Sequence, residues 1–187
     1  MNKTSLALVS TLAATSSAWA DSYTIDPNHT LPVFEVNHLG FSTQRGRFDQ
    51  TSGKIQLDRE KKTGTVDWAI ETGSIDMGQS KWNEHLKSAD FFNAAQFPSI
   101  TYHADKLFFK GKVPVSAEGS LTLLGVTKPL KVTIHRFTCG VNPINQKELC
   151  AADIDASLKR SEFGMTKYLP GVGDEVKVHV PVEAYKD

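Results

Sequence analysis

The sequence predicts an all-β fold: eight or nine antiparallel strands, closed into a barrel or stacked as a sandwich, with one short helical interruption. Three observations carry this. Apolar and polar residues alternate through most of the chain. Clusters rich in Gly, Pro, Asn and Lys separate the alternating runs, at Gly40, Gly46, 51–54, 61–64, Gly111, 125–129, 140–145 and 169–174. Each run has one apolar and one polar face, whereas parallel strands covered on both sides would be apolar throughout.

In chain order, "PVFEVNH" places Phe34 and Val36 on one face. "TVDWAIE" does the same with Val66, Trp68 and Ile70. The pattern then changes: "SKWNEHLKSADFF" sets Trp82, Leu86 and Ala89 at i, i+4 and i+7, one helical face, with Ser80 as the expected N-cap and Glu84 and Lys87 on the wet side. "QFP" ends the excursion, because a residue before proline leaves the α region. "SITYHAD" resumes the strands. "KVPVSAEGSLTLL" alternates Val113, Val115, Ala117, Leu121 and Leu123 against Lys112, Ser116, Glu118, Ser120 and Thr122. "PLKVTIHRF" gives Leu130, Val132 and Ile134; "CAADIDASLK" gives Ala152, Ile154, Ala156 and Leu158; "EVKVHVPVEA" gives Val176, Val178, Val180, Val182 and Ala184. Pro181 cannot donate to a ladder, so the last strand should carry an edge, a bulge or a seam there.

The first twenty residues set the expected compartment. "MNK" supplies a positive start, "TSLALVSTLAATSS" a short apolar stretch, and "AWA" a small-residue cleavage site after Ala20. The stretch is shorter than the ~20 residues that span a bilayer. Residues 1–20 therefore read as a signal peptide and 21–187 as one exported, periplasmic domain. Residues 1–20 hold one lysine and no acid, which leaves 20 basic and 21 acidic residues, a net charge of −1. A near-neutral chain without a basic cluster is not a nucleic-acid binder. In an exported protein, Cys139 and Cys150 read as a disulfide, with two free buried thiols as the alternative.

No catalytic motif emerges. Glu84 and His85 are adjacent, so they diverge by about 100° on a helix, and the order "NEHLK" is not the zinc-binding HExxH. The six histidines form no HxH or CxxC-like ligand spacing, and His103, His135 and His179 fall on the polar parity of their strands. There is no GxSxG elbow, phosphate loop or GxGxxG. Trp68 and Trp82 fall on apolar faces, which argues against an exposed sugar-stacking platform. A binding protein without catalytic residues, catalytic cofactor or metal is the expectation by elimination.

Five blocks in order, "DPNHTLPVFEVNHLGFSTQRGRF", "EHLKSADFFNAAQFPSITY", "GSLTLLGVTKPLKV", "RSEFGM" and "VGDEVKVHVPVEA", resemble the YceI-like family of exported isoprenoid-binding proteins. The similarity runs from about 22 to 185. The resemblance implies an elongated, lipocalin-like antiparallel barrel of about eight strands with a short helix near one end. It also implies an apolar tunnel holding a long polyisoprenoid or ubiquinone-type ligand, and transient contact with a membrane. Strand parity would line that tunnel with Phe34, Val36, Phe41, Trp68, Ile70, Leu121, Leu123, Val132, Ile134, Ile154, Ala156, Val178 and Val180. The helix, with Trp82 and Leu86, would close one opening as a lid. Small inward residues such as Ala117, Ala152 and Ala156 leave room along the axis. The cysteine pair is not general to the family and would clamp a late hairpin. Three readings compete with transport or storage: an enzyme acting on the bound lipid through His38, His85 and Arg160, a scavenger of hydrophobic antibiotics, and a structural envelope protein with a filled core.

Overall fold

The computed structural model describes residues 20–187. The expected signal peptide lies outside these residues, save its final alanine. Eleven strands and one helix occur in chain order: β1 Asp21–Ile25, β2 Val33–His38, β3 Ser42–Phe48, β4 Thr51–Asp58, β5 Thr63–Glu71, β6 Ile75–Asp76, α1 Ser80–Lys87, β7 Ser99–Lys110, β8 Val113–Leu123, β9 Val126–Val141, β10 Glu148–Lys159 and β11 Val172–Lys186. Eight of them close an antiparallel ring in the order β1-β4-β5-β7-β8-β9-β10-β11 and back to β1. Strands β2, β3 and β6 extend the sheet from the edge of β11 beyond that ring, and Val33, Phe34 and Phe48 among them reach its interior.

Strand β11 explains both the closure and its proline. One edge pairs with β10 along its length, from Tyr185 opposite Leu149 to Glu175 opposite Lys159. The other edge changes partner: β2 covers it as far as His179, and β1 takes over at Ala184. Pro181 sits in the gap between them. Its ring nitrogen points the same way as the Glu183 amide, which receives no strand partner but the Thr30 hydroxyl, at 3.1 Å. The missing donor therefore falls on the seam, where it breaks no ladder.

Three bulges re-aim the inward face. Between β7 and β8, Ala104 pairs with Gly119 but Lys106 with Glu118, so Asp105 is an extra residue and Leu107 replaces Lys106 inside. Val115 is the extra residue on β8, so Pro114 turns inward while Val113, expected inside, is exposed. On β9 the register slips opposite Ala151 and Asp153; Arg136 adopts φ 48° and Phe137 takes the inward place.

The helix also departs from expectation. Gln79, not Ser80, holds the extended N-cap position, and no residue of α1 is buried. Asn83 fastens the helix to the neighbouring segment: its side chain accepts from the Met77 amide (2.7 Å) and donates to Asp76 (3.1 Å).

Candidate functional site: an apolar tunnel

The inward faces of the ring do not meet. They enclose a cavity of about 220 Å³ that runs from Tyr23, Leu57, Phe137 and Cys150 at one end to Phe34, Phe48, Phe92 and Met165 at the other. It exceeds the ~150 Å³ of an apolar cavity that stays dry and takes up benzene. Alanines keep it open: Ala117, Ala151, Ala152, Ala156 and Ala184 stand where larger side chains would fill the bore. Gly119 lets two strands close tightly, since a Cβ there would lie 2.2 Å from the His103 carbonyl oxygen.

The polar groups of Trp68, Tyr102 and Arg160 in the wall are occupied. The Trp68 indole N–H donates to the Thr51 hydroxyl, which in turn donates to the Ala69 carbonyl at 3.1 Å. The Tyr102 hydroxyl donates to the Leu130 carbonyl at 3.3 Å, and burial pushes its pKa up to about 12. Burial likewise raises the Tyr23 phenol, helped by nearby Asp21. Arg160 is the one charged residue in the wall and is only 2% exposed. Its guanidinium donates to four backbone carbonyls, of Gly173, Met165, Lys167 and Val172, at 2.8–2.9 Å. Desolvation lowers its pKa, and the Asp174 carboxylate opposes that shift. Arg160 thus fastens the 165–173 loop, which brings Met165 to the cavity, and is not an open mouth residue.

Of the residues assigned by parity, Phe34, Trp68, Ile70, Leu121, Leu123, Val132, Ile134, Ile154, Ala156, Val178 and Val180 face the cavity. Four of the expected lining and lid residues do not. Val36 shares the parity of Phe34 on β2, but it stands opposite Val176, the last inward residue of β11 at the helix end, and does not reach the cavity. Phe41 comes just after the tight turn at Leu39 and Gly40, both at positive φ, and is 92% exposed. Trp82 is 42% exposed on a helix that stands against β6 rather than over the bore. Leu86 is half-buried and packs on the core from outside the cavity. The lid residue is instead Phe92, five residues past the helix, which touches Phe34 and Phe48 at centroid distances of 6.2 and 5.4 Å.

Parity missed Tyr23, Ile25, Ile55 and Leu57 on β1 and β4, although "YTI" and "IQL" carry the same alternation. Leu107, Pro114 and Phe137 were hidden by the bulges. Met165 and Phe92 lie in loops, where no period signals orientation.

Cys139 and Cys150 face each other across β9 and β10 and are joined as a disulfide. The residues of the apparent acid–histidine cluster part company: Glu84 pairs with Lys87 at 3.3 Å, Asp90 with Lys167 at 3.7 Å, and the His85 ring packs on Phe91 and Tyr168. His103 meets Asp67 at 2.6 Å, and Asp155 lies between His135 (3.2 Å) and His179 (2.7 Å), all on the outer barrel surface. Among the described residues, Asp26, His29 and Glu183 bring three potential metal-ligand atoms within 4.8 Å of one another. There the His29 ring bonds Asp26 at 2.6 Å, which raises the histidine pKa.

Comparison with known proteins fits this architecture. The YceI-like domain family model matches residues 23–184. Protein YceI of Salmonella arizonae is 31% identical over 179 residues, covering 94% of this chain and 93% of that protein. The crystal structure of Burkholderia cenocepacia BcnA superposes with a TM-score of 0.71 at 21% identity, covering 85% of this chain and 98% of that one. A polyisoprenoid binding domain from Saccharophagus degradans, implicated in plant cell wall breakdown, superposes with a TM-score of 0.65 at 14% identity, covering 88% and 98%.

Proposed function

The chain belongs to the YceI-like domain family, and from that premise we propose that it is a periplasmic binding protein, not an enzyme. It holds a long polyisoprenoid, or the prenyl tail of a quinone such as ubiquinone, in the barrel tunnel. The observation that carries this is the wall: 36 residues enclose the bore, and its one charged group is spent on backbone carbonyls. Such a surface recognises hydrocarbon and little else. The polyisoprenoid binding domain of the Saccharophagus degradans neighbour supports the same ligand class. The signal-peptide character of residues 1–20 supports export.

Burial of each CH₂ from water is worth about 0.8 kcal/mol, so a prenyl chain does not leave the tunnel for water. A bilayer buries the same carbons, so exchange with a membrane is near balance. That balance suits a carrier or a store. Transient bilayer contact fits the β2–β3 turn, where Phe41 is 92% and Leu39 56% exposed.

The test is mass spectrometry of protein purified from its own host, native and after organic extraction. A stoichiometric prenyl lipid or quinone is expected. An empty protein that also takes up no ubiquinone from vesicles would overturn the reading.

A further inference from the structure

We infer that the segment Ser88–Phe97 is the gate of the tunnel, that Phe92 is its plug, and that the ligand enters tail-first at this end. The inference rests on the tunnel being a ligand site. The two ends are closed in different ways. At the disulfide end, the closing turns are tied across strands. Cys139 and Cys150 are joined, Arg59 donates to the Lys112 carbonyl at 3.0 Å, and the Asp187 carboxylate holds Lys54 at 2.9 Å.

At the helix end, two pieces close the bore, beside a helix that is itself fastened through Asn83. The 165–173 loop is tied through Arg160. The other piece, Ser88–Phe97, is bonded to itself and to the last turn of the helix, and none of its own hydrogen bonds reaches a strand of the ring. Its backbone amides at 91–94, 96 and 97 all donate to carbonyls between Leu86 and Asn93: those of Phe92 and Ala94 to Leu86 and Lys87 in the helix end, the rest to Ser88 and Asn93. Of its side-chain hydrogen bonds, that of Ser88 reaches the His85 carbonyl in the helix end and that of Asn93 reaches Gln96 within the segment. Its ion pair, Asp90 with Lys167, is exposed and reaches another loop rather than a strand. The segment therefore hangs from the helix end by hydrogen bonds and is held on the barrel strands by side-chain packing.

Packing of this kind can be undone without breaking a ladder. The flanks supply pivots. Ser88 leaves the helix in an extended conformation, where a swing releases only the Phe92 and Ala94 amides from the Leu86 and Lys87 carbonyls, and beyond Phe97 the Pro98 carbonyl is fixed by the Thr72 amide at 2.8 Å. Swinging the unit outward lifts Phe92 from Phe34 and Phe48 and opens the bore. A polar head group would then stay outside, beside the gate, because the one charged group in the wall, Arg160, already donates to backbone carbonyls.

Stopped-flow uptake and release of a dansyl-labelled farnesyl chain tests this. Wild type must first take up the probe; failure there overturns the binding reading and the gate with it. Phe92→Ala is expected to raise both uptake and release at least tenfold. Asp90→Cys/Lys167→Cys, joined by a cleavable bifunctional thiol reagent, is expected to slow both at least tenfold, with recovery on cleavage. The native cysteines are paired and do not react. Lys54→Ala/Arg59→Ala, which loosens the other end, should stay within twofold of wild type. Unchanged rates in the cross-linked protein, or acceleration in the Lys54/Arg59 variant, would overturn the assignment. The cross-linked pair decides the question even if Phe92→Ala does not fold.

Discussion

Ala156→Trp should empty most of the tunnel while leaving the barrel intact. The inward residues of β11 run from Val176 to Ala184, eight steps. At ~3.3 Å per residue and a strand tilt of about 40°, they cover roughly 20 Å of the axis. An extended chain advances about 1.2 Å per bond, as the polypeptide backbone does, so the bore holds about 16 chain bonds, or four isoprene units. Ala156 stands opposite Val178, a quarter of the way from the helix end. An indole there cuts off the six steps beyond, about 15 Å or 12 carbons. At ~0.8 kcal/mol per carbon, that is about 10 kcal/mol of burial lost. The added ring enters open space rather than a packed core, so its cost to folding stays within the ~1–3 kcal/mol of ordinary overpacking. Native mass spectrometry after incubation with ubiquinone-loaded vesicles reads the occupancy, and a melting curve reads the fold. A folded Ala156→Trp protein with wild-type occupancy would refute the tunnel as the ligand's bed.

Replacing both cysteines by serine opens a short loop, with a sequence separation of 11; the chain-entropy relation puts the loss at about 3 kcal/mol, a fall in melting temperature of roughly 6–12 °C by calorimetry. Tyr102 ionises at about 12 in the folded barrel against 10.0 ordinarily. Below pH 10 both states keep the proton; above it the unfolded chain releases it first, so stability falls by about 3 kcal/mol between pH 10 and 12. Denaturant titrations across that range should show the slope, and Tyr102→Phe should flatten it. Gly119→Ala drives a methyl to 2.2 Å from a backbone oxygen and should cost roughly 1–3 kcal/mol in urea, whereas Gly140→Ala meets nothing within 4 Å and should be near neutral.

Alternation made the long strands legible. On β10 and β11, Ile154, Ala156, Val176, Val178 and Val180 point inward as their parity requires, because nothing interrupts the period between them. Parity fails wherever one residue is inserted: Asp105, Val115 and Arg136 each reverse the facing of their neighbours along the strand, and no residue type in those stretches announces the insertion. Val36 shares the parity of Phe34 yet misses the bore, because it stands opposite Val176 where the bore ends, and parity does not say how far a bore extends. Helical spacing places Trp82 inward, and Phe41 goes with the strand-parity set. The β2–β3 turn and the helix hold them at the surface instead. The disulfide was readable from the cysteine pair, while the plug Phe92 lies in a loop, where sequence gives no direction.

The seam at Pro181 has a consequence for the order of events in folding. Strand β11 is the partner of β1, β2 and β10 at once, and Phe34 meets Val178, and Tyr23 meets Lys186, across about 140–160 positions of chain. The intervening hairpins from β7 to β10 can form from near neighbours, but the circle cannot shut until the final fifteen residues arrive. A polypeptide made from its N-terminus thus keeps an open-edged, threadable sheet throughout synthesis. Deleting Val172–Lys186 would leave three strand edges unpaired together, so loss of the C-terminal strand should act as an all-or-none failure rather than a graded weakening.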